Sequence, residues 1–184
     1  MNSLKGYLLI ATPELIAAVF TRSVILMIDH DENGAMGVIL NRPTDATTSD
    51  LPEEIVGPEF DGNKPLHLGG PVSGPLMILH ALAELADREV LPGVFLTLDS
   101  TKARELLVSK AEPSLIVINY SGWGAGQLES EFDRDSWLTL PATLDHVFDG
   151  REDDLWKSVV GQVSARKLSD FLGVRHIPPD PTMN

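Results

Sequence analysis

Runs of apolar residues separated by short polar turns recur along much of this chain, and they predict a β-sheet. Two of the runs, Ser23–Asp29 and Ala35–Asn41, are joined by a polar turn that contains Asn33 and Gly34. This pair tolerates the positive φ angles that tight hairpin turns require. The segment is therefore predicted to be an antiparallel hairpin.

Later apolar runs extend the predicted sheet. The run Leu76–Leu79 fits either a buried strand or the start of a helix that continues to Leu85, and its periodicity does not separate the two. A short run before it leads into a turn made of Gly69, Gly70 and Pro71. Further strands are predicted at Val94–Leu98, Leu115–Tyr120 and Trp137–Leu140.

Helices are predicted where capping residues precede apolar positions at helical spacing. Thr12, Pro13 and Glu14 suit the first positions of a helix, so a short helix is predicted to continue to about Phe20. Further helices are predicted after Ser100 as the capping residue, from about Gln127, and over Glu152–Val163.

A proline-rich stretch separates the hairpin from the later strands. Residues 43–65 contain four prolines and several acidic residues, a composition that interrupts both helices and strands. The stretch is therefore predicted to be a long surface loop, and loops of that length are sometimes functional. The proline-rich end of the chain, residues 177–184, is predicted to be a flexible tail.

Hairpins combined with strand-helix-strand steps predict the fold class. We expect an α/β fold of the α+β type, a single compact domain with a mixed, largely antiparallel sheet and packed helices. The chain has 184 residues, which is the usual size of one domain. Residues 1–184 are therefore expected to form one domain.

Composition and charge narrow the possible function classes. The formal net charge of −13 repels phosphate backbones, so direct nucleic-acid binding is not expected. The absence of cysteine excludes disulfides, thiolate metal sites and cysteine nucleophiles. No apolar run approaches the roughly 20 residues of a membrane span. We expect a cytoplasmic protein without a membrane segment, beginning at Met1 because Pro13 and Glu14 interrupt the first apolar run.

The glycine-rich segment Ser121–Glu129 follows a predicted strand and precedes a predicted helix, as phosphate-binding loops do. The third glycine of a dinucleotide fingerprint would stand at the position of Gln127. Glu129 and Glu131 in the first helical turn would also repel an anion. No nucleotide or other cofactor is therefore predicted, and the glycines are expected to allow close packing around Trp123.

Other catalytic and metal-binding motifs are incomplete. Asp29–Gly34 matches the first half of a calcium-binding loop, but the position of its final glutamate is Leu40. Neither Ser73 nor Ser121 lies in the Gly-x-Ser-x-Gly turn of serine hydrolases. The five histidines have no metal-binding spacing. No metal site is predicted, and the catalytic residues stay unknown.

Several segments in sequence order resemble the AlgH/YqgE family of bacterial proteins: LKGYLLIATPEL, FTRSVILMIDHDENGAMGVILNRP, LHLGGPVS, LMILH and YSGWGAGQLESEF. The resemblance covers nearly the whole chain, and the last segment is its most specific part. Asn119 and Ser121 depart from the glycine and alanine that are usual in the family. The resemblance implies a compact α/β fold with a mixed sheet, and a proposed role in transcriptional regulation that no DNA-binding motif accompanies.

The resemblance also implies a set of candidate residues at turns and strand ends, where rigid scaffolds present binding groups. We expect a regulatory or binding module that acts through an unknown protein or small-molecule partner. The alternative is an unrecognised hydrolase or transferase near His30 and Trp123, with His30 as the base. A direct transcription factor is a third possibility, which the net charge opposes. The candidates for one surface pit are Arg22, His30, Asn41, Arg42, Gly69, Gly70, Trp123, Gln127 and Glu129.

Overall fold

Ten β-strands of the described residues form one sheet, on which the helices pack. The computed structural model describes residues 3–58, 60–149 and 152–172, and the predicted tail at 177–184 lies outside them. The strands of the described residues are β1 (Tyr7–Ala11), β2 (Val24–Asp31), β3 (Gly34–Ile39), β4 (Pro43–Thr47), β5 (Pro65–Leu68), β6 (Val72–His80), β7 (Arg88–Leu91), β8 (Val94–Thr97), β9 (Ser114–Gly124) and β10 (Trp137–Pro141). Their order is β10-β1-β2-β3-β9-β6-β8-β7, with β5 also paired to β9 and β4 paired to β5.

The pairing confirms the predicted fold class. β5 runs parallel to β9, and the other strand pairs among the described residues are antiparallel. β9 joins the two halves of the sheet because its first half pairs with β5 and β6 and its second half pairs with β3. The result is a single compact α+β domain with a mixed, largely antiparallel sheet.

The β2–β3 hairpin is confirmed, and its turn lies between Asp31 and Gly34. The Asp31 carboxylate accepts the Asn33 amide at 2.7 Å, which stabilises the turn locally. Gly34 has a φ of 143°, and a Cβ there would lie 2.3 Å from the Trp123 carbonyl oxygen. The hairpin therefore needs glycine where β3 begins, because β9 approaches its backbone closely.

Both faces of the first strands are buried, which explains why their sequences are continuous apolar runs instead of alternating ones. One face, with Leu26 and Val38, belongs to a core that also contains Val159. The opposite face, with Ile25 and Ile39, packs against Leu128. The sheet is thus covered on both sides, and no strand of this hairpin presents an apolar face to solvent.

Helices cover the sheet at separate places. In the described residues they are α1 (Glu53–Val56), α2 (Ser100–Val108), α3 (Gln127–Phe132), α4 (Leu144–Phe148) and α5 (Glu152–Leu172), with 3-10 turns at Thr48–Asp50 and Ala83–Leu85. α2 contributes Leu106 to a third apolar cluster, which also contains Ile78 and Ile116. α5 packs near β1 and β10, where the Trp156 indole donates to the Ala11 carbonyl at 2.8 Å.

The helix predicted from Thr12 to Phe20 is wrong, because these residues form turns. The Thr12 hydroxyl donates to the carbonyl oxygen of Asp135 at 3.1 Å instead of capping a helix. Phe20 packs against the cluster on the outer face of β2. Contacts with distant parts of the chain thus replace the local helix-capping interactions.

Smaller predictions need correction as well. Asp99, not Ser100, caps α2, because its carboxylate accepts the amides of Thr101 and Lys102. Residues 43–65, predicted as one long loop, contain β4, a 3-10 turn and α1 before an irregular segment leads to β5. The undecided run Leu76–Leu79 is a strand within β6. The predicted helix from Glu152 is confirmed and extends to Leu172.

Candidate functional site

His30 lies near the end of β2, and both of its ring nitrogens are engaged. The Leu4 amide donates to Nδ1 at 3.1 Å, so the ring proton resides on Nε2, which donates to Glu129 Oε1 at 3.1 Å. The His30 side chain is 4% exposed, whereas that of Glu129 is 39% exposed. The pair connects the start of the chain, β2 and α3.

The pKa of the Glu129 carboxyl is lowered, first by its own backbone amide and then by the hydrogen bond from His30. The carboxylate form is therefore favoured in the fold. The Glu129 carboxylate keeps its hydrogen bond with the His30 ring, and because Nδ1 accepts the Leu4 amide, both ring nitrogens are occupied.

Trp123 is buried next to a second glutamate of α3. The Glu131 Oε2 atom accepts the indole N–H groups of Trp123 at 2.9 Å and Trp137 at 2.8 Å. Gln127 donates to the other oxygen of Glu131 at 3.3 Å. Phe20 completes an aromatic cluster, with its ring stacked on Trp123 at 6.2 Å and edge-on to Trp137 at 5.6 Å. This cluster attaches α3 to the sheet.

The glycine-rich segment is not an open loop. Gly122 and Gly124 belong to β9, and Gly126, with a φ of 72°, precedes the first residue of α3. The Gln127 side chain accepts the Gly124 amide at 3.1 Å, which removes a donor that a phosphate would need. The segment therefore turns the chain from strand to helix without forming an anion cradle.

Asn41 and Arg42 lie at the other end of the hairpin. Asn41 accepts the Val24 amide and donates to the Arg22 carbonyl, both at 2.9 Å. Arg42 donates to the Thr21 carbonyl at 3.1 Å. The Arg22 guanidinium lies 5.7 Å from the centre of the Trp156 ring, within the range of a cation–π interaction. These contacts fix the chain segment that enters β2.

Gly69 and Gly70 occupy a crowded turn between β5 and β6. A Cβ on Gly69 would lie 2.5 Å from the Asn119 carbonyl oxygen, and one on Gly70 would lie 2.3 Å from the Tyr120 carbonyl carbon. The Ser121 hydroxyl donates to the Gly69 carbonyl at 3.0 Å. Both glycines are therefore required by the close approach of β9.

The nine candidate residues form two groups instead of one pit. His30, Trp123, Gln127 and Glu129 lie around α3, whereas Arg22, Asn41, Arg42, Gly69 and Gly70 lie around the start of β2 and the turn before β6. His30 and Val24 are six positions apart along β2, which is roughly 20 Å in an extended strand. His30 and Arg22 thus lie far apart, toward opposite ends of β2, whereas Gly70 lies against Ser121 of β9, two positions before Trp123.

A cavity of about 340 Å³ lies elsewhere, between α2, β6, β9 and the irregular segment that precedes β5. Its inner wall is made of buried apolar side chains from the third apolar cluster. Phe60 and Gly62 cover it from the irregular segment. The lining residues are Thr48, Phe60, Asp61, Gly62, Asn63, Lys64, Ile78, Leu106, Leu107, Lys110, Glu112, Ser114 and Ile116.

Two lysines lie at the rim of this cavity. Lys64 donates to the Ala111 carbonyl at 3.1 Å and to the Ser114 hydroxyl at 2.8 Å, and its ammonium lies 2.5 Å from Glu112. The Lys110 ammonium lies 2.9 Å from the Asp61 carboxylate. The hydrogen bond from Lys110 and its charge lower the pKa of the Asp61 carboxyl. The rim therefore has two balanced charge pairs.

A second hollow of about 360 Å³ lies beside the first, with Phe60 and Asp61 common to both. Arg104 of α2 lines it and donates to the backbone carbonyls of Glu54 and Ile55. This guanidinium holds α1 against α2. Phe60 thus lines both hollows, which lie beside α2.

The sequence patterns predicted only one wall of this cavity, as part of a long loop. Residues 43–65 were a predicted loop of a length that is sometimes functional, and Phe60 stands among polar residues there. The opposite wall comes from Leu106, Leu107 and Ile116, which are more than 40 positions away in sequence. No local pattern relates the two walls, so the cavity depends on tertiary packing.

Within residues 3–58, 60–149 and 152–172, no group of three or more histidine or acidic side chains is arranged to hold a metal ion. Each helix in the same ranges is too short or too polar to cross a bilayer.

Known proteins resemble this chain over most of its length. A family model described as AlgH-like matches residues 8–167. A UPF0301 protein of Stenotrophomonas maltophilia is 35% identical over 183 residues, covering 94% of this chain and 96% of its own. A UPF0301 protein of Chlamydia pneumoniae is 36% identical over 171 residues, covering 90% and 89%.

Solved structures agree with the fold. The solution structure of AlgH from Pseudomonas aeruginosa has a TM-score of 0.71 and 28% identity, with 96% of both chains covered. The crystal structure of protein DIP2367 from Corynebacterium diphtheriae has a TM-score of 0.70, with 85% of both chains covered. Its identity of 23% relates the two by fold alone. On the family match and the relatives at 35% and 36% identity, the chain belongs to the AlgH-like family.

Proposed function

We propose that this protein is a binding module whose ligand is a small molecule held in the cavity between α2 and the segment before β5. The observation that carries the proposal is the cavity itself, about 340 Å³ in volume. Ligand pockets usually have volumes of roughly 300–1,000 Å³, apolar walls and a few polar groups. This cavity has apolar side chains inside and charged groups at the rim.

A binding role fits the state of the candidate residues better than catalysis does. His30 uses both ring nitrogens in hydrogen bonds, with Leu4 and Glu129. A general base needs a free lone pair within reach of a substrate proton. The hydrolase or transferase alternative near His30 and Trp123 stays a prediction, and unchanged turnover of a screened substrate by a His30→Ala variant would disprove it.

Ligand binding offers a physical route to regulation through a partner. One wall of the cavity is the irregular segment around Phe60, which also covers the second hollow. A ligand beneath Phe60 would change the contacts of this segment and so change the surface it presents to a partner protein. We also place this module in the cytoplasm, as we expected from the sequence.

A titration with 1-octanol, a neutral probe with an apolar chain, tests the proposed cavity. Proton–nitrogen NMR spectra should show concentration-dependent shifts at Gly62, Lys110 and Ser114, which line it. A Leu107→Phe variant fills part of the space and should weaken binding at least threefold, because the added ring atoms exclude the probe.

The matched control is Leu168→Phe, which adds the same ring atoms at an exposed position on α5. It should bind 1-octanol like the original chain. Well-dispersed spectra of both variants establish that they fold. Shifts spread over the whole surface, or equal affinity of the Leu107→Phe and Leu168→Phe variants, would contradict a ligand site in this cavity.

A further inference from the structure

We propose that the ligand of this cavity carries one carboxylate, which binds the Lys110 ammonium in place of the Asp61 side chain. This inference rests on the proposed function, because it names the chemical class of the molecule that the cavity holds. Its basis is the different state of the two rim lysines, which have the same charge but differ in their contacts and exposure.

Lys64 is not available to a ligand. Its ammonium has three donors and three neighbouring acceptors, which are the Ala111 carbonyl, the Ser114 hydroxyl and the Glu112 carboxylate. The side chain is 30% exposed, and the Lys64 amide and carbonyl also bond to Thr48. Lys64 therefore stabilises the rim and is satisfied without a ligand.

The Lys110 ammonium can bind a ligand with little loss of free energy, because its present ion pair is weak. Its side chain is 60% exposed, and the Asp61 side chain that it pairs with is 79% exposed. An ion pair with this exposure is weak, because water screens both charges and the side chains lose conformational freedom in it. The pair with Asp61 is therefore one that a ligand carboxylate can replace.

The two partners of this pair differ in how firmly the fold holds them. Lys110 lies two positions after the end of α2, and its backbone amide donates to the Leu107 carbonyl at 3.1 Å. Asp61 lies on the irregular segment between α1 and β5. The backbone that carries Lys110 is thus tied to α2 by a hydrogen bond, whereas the Asp61 carboxylate is 79% exposed on an irregular segment. A ligand anion at Lys110 is favoured over a ligand cation at Asp61 for this reason.

Three probes with the same apolar chain test this charge preference: octanoate, octanamide and octylammonium. We expect octanoate to bind most tightly, by roughly threefold to tenfold over octanamide, in titration calorimetry at low salt. A Lys110→Gln variant should remove this preference, because octanoate loses its cationic partner while octanamide loses no charge pair. An Asp61→Asn variant should strengthen octanoate binding by about twofold to fivefold, because the competing carboxylate is gone.

A Lys5→Gln variant is the matched control, since it removes an exposed positive charge outside the cavity, and it should retain the octanoate preference. Equal affinity for octanoate and octanamide, or a preference for octylammonium, would overturn the carboxylate inference while the cavity remains a binding site. Failure of all three probes and of 1-octanol to bind would overturn the proposed function as well. Each variant is checked for folding by its proton–nitrogen spectrum.

Discussion

His80 lies at the end of β6 with no exposed surface, and its ring takes part in two hydrogen bonds. The Leu82 amide donates to Nδ1 at 3.2 Å, so Nε2 carries the proton and donates to the Thr97 hydroxyl at 2.9 Å. Thr97 in turn donates to the Leu85 carbonyl. Burial lowers the pKa of His80, because water no longer stabilises the charged ring.

The depressed pKa of His80 predicts a loss of stability in weak acid. At pH values above the unfolded pKa of 6.5, the ring is neutral in both the folded and the unfolded chain. It then contributes nothing to the change of unfolding free energy with pH. As the pH falls below that value, the unfolded chain binds the proton first, so unfolding becomes easier by at most about 1.4 kcal/mol per pH unit. The unfolding free energy, measured by urea titration at pH values from 7.5 to 5, should fall less steeply with decreasing pH in a His80→Gln variant. An identical pH dependence in the two proteins would contradict this account.

Gly70 lies so close to the backbone of β9 that it has no room for a side chain. Its φ is 157°, and an added Cβ would lie 2.3 Å from the Tyr120 carbonyl carbon and 2.4 Å from the Ser121 amide nitrogen. A Gly70→Ala variant is expected to lose at least about 2 kcal/mol of unfolding free energy, because backbone atoms must shift. Gly124→Ala is the control, since a Cβ there meets nothing within 4 Å. Equal denaturation midpoints for the two variants would contradict this prediction.

The attachment of α3 to the sheet depends on Glu131, which accepts both indole N–H groups. A Glu131→Ala variant leaves these two donors without their acceptor, and we expect a loss of about 2–4 kcal/mol in unfolding free energy. The fluorescence of Trp123 and Trp137 should shift, because both indoles lose a charged neighbour. Asp133→Ala removes an exposed carboxylate from the end of the same helix and should change neither quantity. Unchanged fluorescence in Glu131→Ala would refute this role.

Sequence patterns predicted the secondary-structure elements with strong local signals. The hairpin with strands Ser23–Asp29 and Ala35–Asn41 was predicted from two apolar runs and the turn with Asn33 and Gly34, and a helix was predicted over Glu152–Val163. The predicted helix from Thr12 failed because its capping hydroxyl bonds to Asp135 instead. A propensity over a few residues is a weak term that contacts with distant residues override.

Backbone amide protons should exchange with solvent at different rates in different parts of the fold. The amides around Ile116–Ile118 lie in the middle of β9, between β5 and β6, so we expect slow exchange there. After Val163, the described residues of α5 are largely exposed, and their amides should exchange at least tenfold faster, because few tertiary contacts oppose opening. Hydrogen–deuterium exchange by NMR measures both regions, and equal protection would contradict this ranking.

Much of the architecture and its class could be predicted from the sequence because continuous apolar runs, turn residues and charge are local properties. They were sufficient for a mixed sheet and for the hairpin around Gly34. The placement of the candidate site could not be predicted in the same way.

Tertiary structure alone decided which side chains meet. His30 and Asn41 are close in sequence, yet they lie near opposite ends of the hairpin because extended strands carry residues apart at roughly 3.3 Å each. Phe60 and Leu107 are far apart in sequence, yet they line one cavity because α2 packs beside the segment before β5. The sequence determined the strands and turns through local spacing, whereas pairing around β9 and the packing of α2 determined where the cavity lies.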